Sequence, residues 1–292
     1  MALNAQILKT RSLTAIVFVA VIAAGLFGNA WSYLVLFAFL LIASWREYGK
    51  IVDRIQQRSL PPYLYLGWTL NGLALALFFA GADYRIDTYV LRDNLSFPLI
   101  LAGFIFLVRG TLASGSISFR HWGMAAAGNL YVTLPWAVAM HLYAFQPAPP
   151  VSMLFFDPAV WWVVIVIACM WINDTMAYVL GSMIGRTPFS KISPKKTWEG
   201  TLSGIIFATA IVGFMLDRYL SGPAFTSIEG YGLAFLAAVS GTLGDLFESK
   251  LKRMAGVKDS GNLMPGHGGV LDRFDSLLLA LPLVYLYLIC IR

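Results

Sequence analysis

Nine long apolar runs, joined by short polar connections, dominate this chain and limit what it can fold into. They lie at roughly 13–28, 31–45, 63–81, 97–113, 122–145, 158–183, 200–217, 230–247 and 270–291. Each is near the ~17–25 residues that carry a helix across a bilayer. The first two are short and closely joined at Gly28-Asn29-Ala30, which predicts a tilted or re-entrant pair. Composition agrees, with 59% hydrophobic and 12% charged residues. A soluble domain usually carries about a quarter charged residues. The expected fold is all-α, a polytopic transmembrane helix bundle of about nine spans. Residues 1–292 are expected to form a single integral membrane domain. Within it, 1–150 supplies N-terminal helices with little chemical signal, and 157–292 the catalytic helices and cytoplasmic loops. The first run is not expected to be a cleaved signal peptide, because another apolar run follows almost at once. Cys169 and Cys290 both lie inside apolar runs and suggest neither a disulfide framework nor a metal site.

The charges are sided. Taking the connections alternately, one side receives Lys9, Arg11, Arg46, Lys50, Arg54, Arg58, Arg109, Arg120, Arg186, Lys191, Lys195, Lys196, Lys250, Lys252, Arg253, Lys258 and Arg273. The other receives only Arg85, Arg92, Arg218 and Arg292. The excess of Lys and Arg on cytoplasmic loops predicts a cytoplasmic N-terminus and an external C-terminus. The net charge of +6 therefore sits on one face, where it would attract anionic headgroups and nucleotide triphosphates. Arg46 to Arg58 are read as setting topology alone. The two later clusters are mixed with Gly, Pro, Asp and His, and are read as chemical. The connections 83–95 and Gln146-Pro147-Ala148-Pro149-Pro150 are read as plain turns or connectors.

Polar groups stand where lipid should be. Asn173 and Asp174 fall late in one apolar run, and Asp245 near the cytoplasmic end of another. An ionisable residue in a span costs ~2.5–3.5 kcal/mol on insertion scales and usually faces a cavity or a partner. After Asp174 comes a loop from Arg186 to Gly200 holding Ser193-Pro194-Lys195-Lys196-Thr197. Its hydroxyls and ammonium groups suit polyphosphate as well as lipid headgroups. A helix starting near Thr197 or Glu199 would add its positive end.

The densest chemistry runs from Gly244 to Asp275. On a helix, Asp245, Glu248, Ser249 and Lys252 share one face. Gly256 is expected to end that helix. The stretch from Lys258 and Asp259 to His267, Gly268 and Gly269 is rich in glycine, which lets backbone N–H groups approach phosphate. Asp272, Arg273 and Asp275 then open the last run, with both carboxylates on one side of the first turn. Asp245, Asp272 and Asp275 make an oxygen-rich set that favours Mg²⁺ or Mn²⁺ over Zn²⁺. His267 is read as a phosphate or metal neighbour.

The segment Ser249-Lys250-Leu251-Lys252-Arg253, then Lys258-Asp259, then His267-Gly268-Gly269-Val270-Leu271-Asp272-Arg273-Phe274-Asp275 resembles the signature of the phosphatidate cytidylyltransferases, the CDP-diacylglycerol synthases. Asn173-Asp174 and Ser193-Pro194-Lys195-Lys196-Thr197-Trp198-Glu199-Gly200 are similar to the middle segment of that family. The resemblance implies a multi-pass enzyme of the bacterial inner membrane whose active site faces the cytoplasm. It implies a divalent cation, often assisted by K⁺, and a homodimer. It carries the metal-binding acids onto Asp245 and Asp272, with Asp275 close by. It carries substrate-binding cations onto Lys195, Lys196, Lys252, Arg253, Lys258 and Arg273.

The expected reaction joins CTP and phosphatidate, giving CDP-diacylglycerol and pyrophosphate. Asp245, Asp272, Lys195 and Lys196 are the expected catalytic residues. Asn173, Asp174, Ser193, Glu248, Ser249, Lys252, Arg253, Lys258, Asp259, His267, Gly268, Gly269 and Arg273 are the expected substrate contacts. Two other classes stay open. One is a CTP-dependent kinase of a polyprenol-type lipid, which would release CDP. The other is a secondary transporter using Asp174 and Asp245 as intramembrane ion sites.

Overall fold

A computed structural model describes residues 5–80, 84–113, 119–144, 160–220, 225–263 and 268–291, with side chains from Thr14 onward. The described chain is almost wholly helical. The helices are α1 (Ala5–Phe27), α2 (Ala30–Gln56), α3 (Pro62–Phe79), α4 (Leu91–Ala113), α5 (Phe119–Gly128), α6 (Leu134–Ala144), α7 (Trp161–Ile184), α8 (Trp198–Leu220), α9 (Ser227–Met254) and α10 (Leu271–Cys290). Before α4, a two-residue antiparallel hairpin pairs Arg85–Ile86 with Tyr89–Val90, and Asp87 takes φ 52° at its turn. That hairpin lies in the connection read as a plain turn.

All nine apolar runs fall on helices, but six helices among the described residues are long and apolar enough to cross a membrane. They are α3, α4, α7, α8, α9 and α10. The other three runs fall on helices of other kinds. On α1 (Ala5–Phe27), the residues described with side chains, Thr14–Phe27, form a shorter apolar stretch. In α2 the apolar half continues without a break into Arg46, Glu47, Lys50, Asp53 and Arg54, so the helix is long but one-sided. The run 122–145 is divided by a π-helical turn at Asn129–Thr133 between α5 and α6.

Gly28-Asn29 is a true break. The Asn29 side chain accepts the Ser32 N–H (2.9 Å), and Ser32 Oγ accepts the Asn29 N–H (2.9 Å). This reciprocal cap satisfies donors that a new helix would otherwise leave bare.

The chain divides into two compact units. The first comprises Met1–Ala144 and Leu251–Phe274, and the second Phe145–Lys250 and Asp275–Arg292. In the first, α2 is the buried centre, with Tyr33, Phe37, Leu41 and Trp45 fully or almost fully buried. Its polar atoms are paired across helices. Trp45 Nε1 donates to Thr133 Oγ1 (3.0 Å), and Trp136 Nε1 to Ser44 Oγ (3.2 Å). The π turn therefore places Thr133 against the α2 indole.

In the second unit, α7 packs along α8. A Cβ on Gly200 would stand 2.6 Å from the Ala177 carbonyl oxygen and 2.8 Å from the Gly181 Cα, so only glycine allows this approach. Small residues at such crossings let membrane helices pack backbone to backbone.

Candidate active site

In the second unit, α7, α9 and the loop 185–197 surround a cavity of about 410 Å³. Ligand pockets usually fall between ~300 and 1,000 Å³. Asn173 and Asp174 line it from α7, Ser193, Lys195 and Lys196 from the loop, and Thr242 and Asp245 from α9.

The loop is folded on itself, which aims its lysines. The Phe189 N–H donates to the Lys196 carbonyl (2.8 Å), and the Trp198 N–H to the Thr187 carbonyl (2.9 Å). Glu199 cinches the base, accepting the Arg186 N–H (3.2 Å), the Thr187 N–H (3.2 Å) and the Thr187 hydroxyl (2.8 Å). Phe189 packs edge-on against Trp198, with ring centroids 4.6 Å apart. Thr197 caps α8 by accepting the Gly200 N–H (3.2 Å). Helix α8 therefore starts at Trp198, inside the expected interval.

Lys196 Nζ forms an ion pair with Asp245 Oδ2 across this cavity. Asp245 Oδ1 accepts the Ser249 hydroxyl from the next turn of α9 (3.2 Å). Asn173 is buried, and its Nδ2 donates to Thr242 Oγ1 (3.3 Å). Its Oδ1 is buried without a hydrogen-bond partner among the described residues. An amide oxygen left bare in this way is costly unless something else meets it.

Beside its two lysines, the groups facing this cavity that could ligate a metal offer oxygen, and Asp174 and Asp245 are both carboxylates. Among the described residues no three His, Cys, Asp or Glu side chains gather as a cage. Mg²⁺ needs no such cage, since it is commonly held by one or two carboxylates plus substrate phosphates and water. The residues present thus fit a hard divalent ion.

The first unit holds a second polar centre. Asp272 belongs to this unit and Asp245 to the other. Asp272 Oδ1 accepts Lys252 Nζ (2.7 Å). Its Oδ2 accepts the backbone N–H groups of Ser260 (2.8 Å) and Gly269 (2.8 Å), with Ser260 Oγ at 3.0 Å. Gly268 takes φ +84°, a conformation that L side chains rarely adopt, and the turn there brings the chain back onto Asp272. Gly256 takes φ +67° just past α9, and the Val257 N–H returns to the Lys252 carbonyl (2.9 Å). That is the helix stop expected of this glycine.

The remaining sequence candidates divide by exposure. Arg253, Lys258, Asp259 and Arg273 are exposed, Asp275 is half-buried and Glu248 is fully buried on α9. His267 lies outside the described residues.

One residue was not anticipated. Glu47 of α2 is buried, and it meets the opening of α10 more than two hundred residues away. Its Oε1 accepts the Val270 N–H (2.9 Å), and its Oε2 accepts the Leu271 N–H (2.9 Å) and the Ser260 hydroxyl (2.8 Å). Glu199 also went unmarked as a loop clamp. A signal for Glu47 existed, because Leu40, Ser44, Glu47 and Ile51 follow helical spacing and all four are buried.

The sequence profile of the cytidylyltransferase family matches residues 9–291. A phosphatidate cytidylyltransferase of Synechocystis is 32% identical, over 96% of this chain and 96% of its own length. The chloroplastic phosphatidate cytidylyltransferase 4 of Arabidopsis thaliana is 32% identical, over 89% of this chain and 68% of its own. A phosphatidate cytidylyltransferase of Staphylococcus haemolyticus is 30% identical, over 97% of this chain and 99% of its own. With a match that runs from the first helix to the last, the chain belongs to the cytidylyltransferase family.

Proposed function

We propose that this chain transfers a cytidylyl group from CTP to phosphatidate, yielding CDP-diacylglycerol and pyrophosphate at the cytoplasmic face of a membrane. The observation that carries the reading is the cavity in which Lys195, Lys196, Ser193, Asn173, Asp174 and Asp245 converge. The names of its relatives point to the same substrates.

A phosphate monoester has a second pKa near ~6, so phosphatidate is largely dianionic at neutral pH. One of its oxygens attacks the α-phosphorus of CTP. The new P–O bond forms as the bond from the α-phosphorus to the bridging oxygen breaks, and pyrophosphate departs with that electron pair. The nucleophile arrives ionised, so no Ser-His-Asp arrangement is required. The protein's part is to hold two polyanions in line and offset their charge. In this reading the Lys196 ammonium exchanges Asp245 for a phosphate oxygen, and Lys195 takes a second. Asp245, with Asp174 facing the same space, would hold a divalent ion. Asp272 and Asp275 are retained from the family signature as further carboxylates serving that chemistry. Mg²⁺, or Mn²⁺ in its place, would supply charge neutralisation and fix the phosphate oxygens when bound.

The topology belongs to the same proposal, with nine crossings, a cytoplasmic N-terminus and both basic loops on the cytoplasmic side of a bacterial inner membrane. The lysine and arginine distribution supports it. A homodimer and an assisting K⁺, both implied by the family signature, are parts of it too.

The test is labelled CTP with phosphatidate and the purified chain in detergent, with and without Mg²⁺. Stoichiometric CDP-lipid and pyrophosphate that require Mg²⁺ are expected. Release of CDP with a phosphorylated lipid alcohol as product would make the chain a kinase instead. Turnover in detergent also excludes transport as the primary role, because no sealed compartment is present.

A further inference from the structure

The cavity accounts for Lys195, Lys196 and Asp245, but not for Glu47. This residue is 6% exposed, lies in a helix whose cations were read as topology signals, and belongs to no signature segment. Yet its two oxygens accept three hydrogen bonds from the loop and helix start that carry Asp272. The Ser260 hydroxyl lies 2.8 Å from Glu47 Oε2 and 3.0 Å from Asp272 Oδ2, so a single hydroxyl links the two carboxylates. Asp272 in turn holds the Lys252 ammonium at 2.7 Å. The four side chains form one continuous series, Glu47, Ser260, Asp272 and Lys252, all in the first unit.

The backbone is shaped around the same carboxylate. A Cβ on Gly261 would stand 2.5 Å from Glu47 Oε1, and a Cβ on Gly269 would collide with Glu47 Oε2 and Ser260 Oγ. Two glycines are thus needed simply to admit it. The Val270 and Leu271 N–H groups are donors that the start of a helix leaves without intrahelical partners, and the side chain meeting them comes from another helix.

We infer that Glu47 is a positioning residue for the transfer proposed above, holding Asp272 and through it the Lys252 ammonium in the orientation the reaction requires. It touches neither substrate nor ion, and it acts through Ser260 and the glycine turn. The inference rests on the cytidylyltransferase reading for its kinetic consequence, but not for its structural one. Loss of a group that orients a reacting or ion-binding side chain through hydrogen bonds typically changes activity by ~10–100-fold. A group that only orients reacting partners lowers kcat and leaves substrate binding largely intact.

Glutamine at position 47 keeps the size but presents an NH₂ where one N–H or O–H donor now points. For Glu47→Gln, kcat is expected to fall about tenfold or more, with both Michaelis constants within about twofold of wild type. Glu47→Asp shortens the reach and is expected to restore only part of kcat. Combined with Ser260→Ala, the loss should be no greater than that of the worse single variant, because both cut one series. Wild-type kcat in folded Glu47→Gln, or losses that multiply in the double variant, overturns the inference.

If Glu47→Gln does not fold, Ser260→Ala decides alone. It leaves the Glu47 bonds to Val270 and Leu271 and the Ser260 N–H bond to Asp272 in place, and removes only the hydroxyl shared between Glu47 and Asp272. Reduced kcat at unchanged Michaelis constants supports the inference, and wild-type kcat overturns it. If the wild-type chain makes no CDP-lipid, the proposed function has failed on its own account. Residue-resolved hydrogen exchange then still decides the structural claim. Glu47→Gln, or Ser260→Ala where the former does not fold, should speed exchange at the Ser260 and Gly269 amides, which donate to Asp272 and not to Glu47. Unaltered exchange there contradicts the series.

Discussion

Asp245 and Asp272 carry the same functional group and each pairs with a lysine, but they are held in very different ways. Asp272 has an oxygen that accepts two backbone N–H groups and faces a serine hydroxyl, while its other oxygen takes Lys252. Its side chain is 8% exposed. Asp245 has Lys196 and one hydroxyl from its own helix, and its side chain is 24% exposed on the wall of a cavity. Backbone donors cannot leave, whereas a lysine on a loop can. The first arrangement suits a fixed reference point and the second a ligand site whose ion pair opens when substrate arrives. The bonds to Asp272 converge from Ser260, Gly269 and Lys252, so moving it disturbs a whole turn. Moving Lys196 disturbs one side chain.

The sharpest way to break this comparison is to neutralise each acid in turn. Asp245→Asn should reduce turnover by at least ~10²–10³-fold, the usual loss when a preorganised charge-stabilising group is removed. Its melting temperature in detergent should stay within about 4 °C of wild type, since only two part-buried side-chain contacts on a cavity wall are altered. Asp272→Asn should lose comparable activity and also ~2–3 kcal/mol of stability, because hydrogen bonds to a charged acceptor are strong and its donors would be left bare. Equal melting temperatures for the two variants would erase the distinction.

Lys196→Ala comes next. It should raise the Michaelis constant for CTP or phosphatidate about ten- to a hundredfold through loss of a charge-assisted bond to phosphate. Unchanged constants for both substrates would remove it from the site. The smallest effect is expected from Thr242→Val, which deletes the acceptor of the Asn173 amide. About 1 kcal/mol of stability and a few-fold loss of activity should follow. A loss as large as that of Asp245→Asn would mean that the α7–α9 contact, not the ion pair, organises the cavity.

Different parts of the molecule were legible in the sequence for different reasons. Asn173, Asp174 and Asp245 were readable because polar groups inside apolar sequence have few structural excuses, and Lys195 and Lys196 because they crowd a short loop with hydroxyls and prolines; the fold does bring all five to one cavity. The helices were readable from hydropathy alone, but their ends and continuity were not. In α2, cations on one face hid a buried stripe on the other, so a 27-residue helix looked like a short span followed by a basic loop. In 122–145 nothing in composition marks the π turn, whose reason is tertiary, the placement of Thr133 against Trp45. Glu47 was hidden most deeply. Its partners begin 213 residues downstream, and the pairing is with backbone N–H groups that carry no residue-type signal. Glycines at 261 and 269 announced a close approach, read in the sequence as that of phosphate, and it is the Glu47 carboxylate that stands against both.

The central claim is that Asp245 releases Lys196 and accepts a divalent ion together with nucleotide. Titration of Mn²⁺ into the purified protein with CTP present, followed by electron paramagnetic resonance, tests it directly. The wild-type chain should bind Mn²⁺ with CTP, and Asp245→Asn should weaken that binding by ~10–100-fold or more, the range already seen when only a supporting residue around a metal is lost. Equal Mn²⁺ affinity in the two proteins would contradict the account.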